Sequence, residues 1–225
     1  MKIKALIALG VLPLLILAGC GWFGAKEEKP APELARNGIE AFKEGNYREA
    51  IESFETLKDW YPFSKYAILA ELKIADAHYQ LAEYEEAVFA YEEFENLHPR
   101  NEAIPYVIYQ IGRCYYDQID TIDRDQLTAQ KALDTFKRLT KKFPEDAYTL
   151  KARPHIIQCH KSLAAHDLYV GRFYFKSGHY KAALHRFRSV LSDYPDVGVH
   201  YEALQYIALC ERVLQELTVA DEQPE

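Results

Sequence analysis

Apolar and polar positions follow one scheme four times along the chain, and each copy closes on a proline: Pro62, Pro99, Pro144 and Pro195. Fifteen residues before the proline stand Tyr47, Tyr84, Ala129 and Tyr180; twelve before it stand Ala50, Ala87, Ala132 and Ala183. Eight before it come Phe54, Tyr91, Phe136 and Phe187. Spacings of three and four place these side chains on one face of a helix. The register holds beyond the proline, where Ile74, Ile111, Ile156 and Ile207 follow at twelve residues, and Ala77, Cys114, Cys159 and Cys210 at fifteen. Each unit is therefore two helices and a turn.

The copies are unevenly spaced: 37, 45 and 51 residues separate the successive turn positions Tyr47, Tyr84, Ala129 and Tyr180. Because the proline-to-isoleucine register is kept, the extra residues fall between the two helices of a unit. In the third unit they fall on the polar stretch DQIDTIDRD, which reads as a loop. In the fourth the excess is 14 residues, close to four helical turns, so the first helix can lengthen without changing its facing. This predicts one long helix from about Tyr148 to Phe175, disturbed near Pro154. After Pro195 the chain supplies one more first helix and little beyond it. A small residue on the first helix, Gly-x-Tyr at the turn, Ala and an aromatic on the second, then proline, resembles the tetratricopeptide repeat. The expected fold is an all-α tetratricopeptide-repeat superhelix of about five repeats, the last incomplete.

The N-terminus follows another rule. Lys2 and Lys4 precede an apolar stretch, Ala5 to Leu17, of 13 residues. A membrane-spanning helix needs about 20, so this segment reads as a secretory signal. It ends in Leu17-Ala18-Gly19-Cys20, which resembles the bacterial lipobox, with Cys20 as the lipid attachment site after removal of residues 1–19. Several acyl chains there, at ~0.8 kcal/mol for each buried methylene, anchor a protein firmly. Gly21 to Pro32 carries two Gly and two Pro and reads as a tether reaching at most about 40 Å. Loss of Lys2 and Lys4 shifts the net charge from −7 to −9, which argues against nucleic acid as a partner. The other cysteines, at one repeated position, are expected to be buried thiols, because equivalent positions in successive repeats lie too far apart for a disulfide.

Catalytic chemistry is not expected. His155, His160 and His166 are spaced by five and six, not by the four that places two ligands on one helix face. HExxH, CxxC, GxSxG and phosphate-loop patterns do not occur. The expectation is a non-enzyme with no metal and no cofactor other than the lipid on Cys20.

Recognition has a better basis. In tetratricopeptide repeats the first helices line a concave groove, at positions that resemble those 7, 10, 14 and 17 residues after the preceding proline. Here these are Leu69, Leu72, Asp76 and Tyr79 in the second repeat, and Tyr106, Tyr109, Arg113 and Tyr116 in the third. Counting back from Tyr47 adds Ile39 and Phe42. The fourth repeat offers Lys151, Pro154, Gln158 and Lys161, and the fifth Glu202, Gln205, Leu209 and Arg212. The groove is thus aromatic in its first half and polar in its second. Such a groove with one arginine suits an extended peptide ending in an aromatic residue and a carboxylate.

Taken together, the lipobox, GNYREAIESFETLKDWYPFSKYA, YVIYQIGRCYYD, DRDQLTAQKALDTF and LYVGRFYFKSGHYKAALHRFRSVLSDYPD resemble the BamD family of outer-membrane protein assembly lipoproteins. The resemblance runs from Glu33 to about Leu217 and departs at the C-terminus, where a further helix is usual. It implies a non-enzymatic subunit, lipid-anchored in the outer membrane of a Gram-negative bacterium and facing the periplasm. It implies N-terminal repeats (33–118) that receive C-terminal signals of unfolded outer-membrane proteins. C-terminal repeats (119–217) would dock on the barrel-forming subunit beside sister lipoproteins, with 218–225 a disordered tail. Asp123, Arg124 and Asp125 of the polar loop, with Lys151, Lys161 and Arg212, are the expected docking contacts. Two other readings stay open: a pilotin for a secretin or pilus, and a scaffold for cell-wall enzymes.

Overall fold

The computed structural model describes residues 28–221, so the signal segment 1–19, Cys20 and most of the tether lie outside the described residues, as does 222–225 of the expected tail. The described residues form nine helices and no strand. In chain order they are α1 (Ala31–Lys43), α2 (Tyr47–Trp60), α3 (Ala67–Gln80), α4 (Tyr84–Leu97) and α5 (Ile104–Tyr116), then α6 (Leu127–Lys142), α7 (Ala147–Lys176), α8 (Tyr180–Asp193) and α9 (His200–Asp221). Each packs against the next, and α5 also touches α7. That is the stacking of helix pairs that the repeat demands.

The helix ends differ slightly from the sequence expectation. Pro30 in extended conformation caps α1, and Pro32 sits in its first turn, where a missing N–H costs nothing. The helix thus begins two residues inside the expected tether. At the other end α9 continues to Asp221, so residues 218–221 are helical and not a disordered tail. The turn after α1 is closed by two bonds, Asn46 N–H to Ala41 O (2.9 Å) and Gly45 N–H to Phe42 O (3.2 Å), with Gly45 at φ +81°. Gly178, at φ +78°, does the same after α7. After α3 the identical pair of bonds is made with Ala82 in the glycine position, at φ +57°. A Cβ is strained there. Ala82→Gly is therefore expected to raise stability by about 0.5–1 kcal/mol, read as a shift in the urea midpoint at constant m.

The core is a chain of three apolar clusters. The first joins α1, α2 and the start of α3; the second runs from Ala75 to Leu163; the third joins the end of α7 to α8 and α9. In each pair a fully buried ring of the second helix presses on the first helix. A Cβ on Gly112 would stand 2.5 Å from the Phe136 ring, and one on Gly171 2.6 Å from Phe187. Cys114, Cys159 and Cys210 are free and buried, as the repeat position requires. Burial pushes the Cys114 and Cys159 thiols up to about 12, far from the reactive thiolate range.

The expected loop stands between α5 and α6, and the expected long helix is α7, of 30 residues. It runs unbroken through Pro154, where a disturbance was expected. The Pro154 ring is exposed, while Ala152 and Cys159 on either side are fully buried and hold the adjoining turns.

Candidate functional site

Aromatic side chains of α5, α6 and α7 meet in one cluster. Tyr148 of α7 lies 5.3 Å from the Tyr106 ring and 5.4 Å from Tyr109. His155, two turns further along α7, lies 4.5 Å from Tyr116 and stacks on Phe136 at 5.4 Å. The Tyr109 hydroxyl and His155 Nε2 are 3.2 Å apart. Burial, and then the charge of Arg113, hold the His155 pKa below the ordinary histidine value. The neutral ring, favoured there, can accept a hydrogen bond from the Tyr109 hydroxyl.

Beneath the tyrosines the polar groups are saturated. Asp76 is 4% exposed and accepts from Tyr91 (2.7 Å), Tyr106 (2.6 Å) and Lys73 (2.7 Å). Burial first, then the Asp76 charge, raises the Tyr91 and Tyr106 hydroxyls well above the usual tyrosine range. They remain proton donors at any relevant pH. Asp76 was expected in the groove as a contact; its side chain is instead consumed in orienting Tyr106 and tying it to α4.

Arg113 is similarly engaged. One of its terminal nitrogens contacts both oxygens of Asp117 at 3.1 and 3.3 Å, and its guanidinium lies 5.9 Å from the centre of the Tyr79 ring. Asp117 also accepts from the Tyr79 hydroxyl at 2.5 Å. Burial alone would lower the Arg113 pKa, but its contacts with Tyr109 and Asp117 outweigh that and raise it. Nε is buried without a partner.

Two depressions flank the cluster. One, of about 300 Å³, is lined by Ile39, Leu69, Tyr66 and Ala35. The other, of about 490 Å³, is lined by Tyr116, Asp117, Ile119, Ile122, Gln158, Lys161, Ser162 and Ala165. Phe42 sits between the first repeats, edge-on to Tyr47 at 5.2 Å and under Lys73 at 4.8 Å. Leu72 and Tyr79 pack half-buried on the central core, and Tyr109 is 8% exposed. Of the ten expected groove residues, Asp76 and Tyr109 are largely covered. A larger cavity, about 630 Å³, lies between α4 and α6, but its Arg138 and Lys142 are paired with Glu95.

The expected docking residues do not gather. Asp123, Arg124 and Asp125 are exposed in the α5–α6 loop, where Asp125 accepts from the Leu127 N–H at 3.0 Å. A hydrogen bond from Thr121 holds Asp123 below the usual carboxylate range. Lys151 instead lies over the Tyr148 ring at 4.6 Å, and Lys161 lines the second depression. Arg212 is exposed on α9. Tyr148, His155 and Asp117 were not expected. Asp117 is legible as the residue one turn after Arg113, but Tyr148 and His155 come from the next repeat.

The comparisons follow the geometry. The family described as YfiO, "Outer membrane lipoprotein", matches residues 27–225. The outer membrane protein assembly factor BamD of Caulobacter vibrioides is 30% identical over 199 residues, 86% of this chain and 65% of that protein. The Rickettsia prowazekii protein of the same name is 31% identical over 206 residues, 91% of this chain and 82% of its own. That of Neisseria gonorrhoeae is 25% identical over 236 residues, 97% and 87%. Among solved structures, the TPR2AB domain of yeast Sti1 in its pHSP90 complex superposes with a TM-score of 0.50 at 17% identity, covering 79% of this chain and 70% of that one. That likeness bears on the fold, and the fold is the tetratricopeptide-repeat stack.

Proposed function

Because this chain belongs to the family of outer membrane lipoproteins described as YfiO, we propose that it is a non-enzymatic subunit of outer-membrane protein assembly, held at the periplasmic side by lipid on Cys20. It receives the C-terminal signals of unfolded β-barrel proteins in the groove of α1, α3, α5 and α7. The observation that carries this reading is the aromatic cluster between two depressions. Ile39, Phe42, Leu69, Leu72, Tyr79, Tyr106 and Tyr116 offer apolar contact to the alternate side chains of an extended strand.

The C-terminal repeats dock on the barrel-forming subunit. Their support is α9, on which Tyr201 is 75% and Leu204 53% exposed. No described helix covers that face. Sister lipoproteins of the assembly are further partners at this half, with Arg212 and the 123–125 loop on its surface.

Photo-crosslinking tests both halves. A crosslinker replacing Leu69 or Tyr116 is expected to capture the C-terminal peptide of an unfolded outer-membrane protein, and one at exposed Phe89 of α4 is not. One at Leu204 is expected to capture the barrel-forming subunit. Adducts at Phe89 with none in the groove, or a secretin or cell-wall synthase captured at Leu204, would overturn the reading.

A further inference from the structure

The 490 Å³ depression at the polar end of the groove has the make-up of an end-binding pocket. Tyr116, Ile119, Ile122 and Ala165 supply its apolar lining. The volume is in the range that encloses a small ligand group. Asp117 also lines it, and its two oxygens already serve Tyr79 and Arg113. Arg113 and Asp117 thus neutralise each other. Lys161 is the exposed cation of the lining, with no ion pair or hydrogen bond among the described residues, and Gln158 beside it adds an amide donor.

Resting on the groove reading above, we propose that this depression holds the last residue of the bound peptide. Its aromatic side chain lies between Tyr116 and Ile122, and its α-carboxylate pairs with the Lys161 ammonium. Arg113, expected from sequence to take that carboxylate, is bound to Asp117 and covered by Tyr79. It would have to release a partner in order to exchange it for another. Lys161 has no such cost. The assignment also sets direction: the peptide runs with its C-terminus toward α7 and its upstream residues toward Leu69 and Ile39.

The test is fluorescence anisotropy on the full chain, with a fluorescein-labelled ten-residue peptide of alternating apolar and polar residues ending in Phe. The peptide is made once as the free acid and once as the C-terminal amide. The wild-type protein is expected to prefer the acid about fivefold, the scale of one exposed charge pair. Lys161→Gln removes the preference, so that acid and amide bind alike, and Lys161→Arg restores it. Retention of the preference in Lys161→Gln, with its loss in Arg113→Gln, overturns the assignment. Equal binding of acid and amide to the wild type also overturns it and leaves the groove reading standing. Absence of saturable binding by either peptide overturns both.

Discussion

Phe136→Ala is expected to lower the stability of the array by about 4 kcal/mol, the range for deleting a fully buried aromatic ring. The ring is inaccessible to solvent and fills the space left by Gly112 on the facing helix. It also stacks on His155 and stands 6.0 Å from Tyr109 and 6.5 Å from Tyr116. Its removal therefore takes away the floor of the groove as well as part of the core. Urea unfolding followed by circular dichroism gives the first effect, and the anisotropy assay the second. Phe136→Leu, which refills most of the volume, is expected to lose about 1–2 kcal/mol and to keep weakened peptide binding. A loss under about 1 kcal/mol for the alanine variant would mean that the site collapses around the deletion and that Phe136 is not its support.

Asp76→Ala comes next, with an expected loss of about 3 kcal/mol. The carboxylate gathers two tyrosine hydroxyls and a lysine from three helices, and its removal strands the Tyr91 and Tyr106 hydroxyls and takes the ion pair from partly exposed Lys73. Asp76→Asn separates the contributions, since an amide oxygen still accepts from the tyrosines while the charge pair with Lys73 is lost. It is expected to cost about half as much. Both variants should also loosen Tyr106, read as faster exchange of its ring signals in NMR spectra. If the asparagine variant is as damaging as the alanine variant, the Lys73 pair and not the tyrosines dominates.

The fold was largely legible because its signal is repetition. The offsets around Pro62, Pro99, Pro144 and Pro195 specify helix, turn and facing together. The count forward from each proline, however, stops describing the helix pair once residues are inserted. Counted backward, Gly38, Ala75 and Gly171 all stand 24 residues before their closing proline, and the two glycines meet Phe54 and Phe187 from the same seat. Helix α7 therefore carries the first-helix pattern twice, once facing α6 and once facing α8. The site was legible as a list of tyrosines but not as a network. Sequence spacing places Asp76 and Arg113 on the groove side, yet it is silent on which partners have already taken their charges. Those partners, Tyr91, Tyr106 and Asp117, are settled by rotamer and packing.

The unbroken α7 also acts as a gear. At 100° and 1.5 Å per residue, its length sets the angle at which α8 and α9 leave the stack as well as their distance from the groove. An insertion of 14 residues turns them by only about 40° while carrying them about 21 Å further out. A single added or deleted residue in α7 would swing the same pair through about 100° and point the α9 face elsewhere. Changes in the length of this helix are thus admissible only in near-whole turns, and the exposed Tyr201 and Leu204 keep their bearing relative to the tyrosine groove through that arithmetic alone.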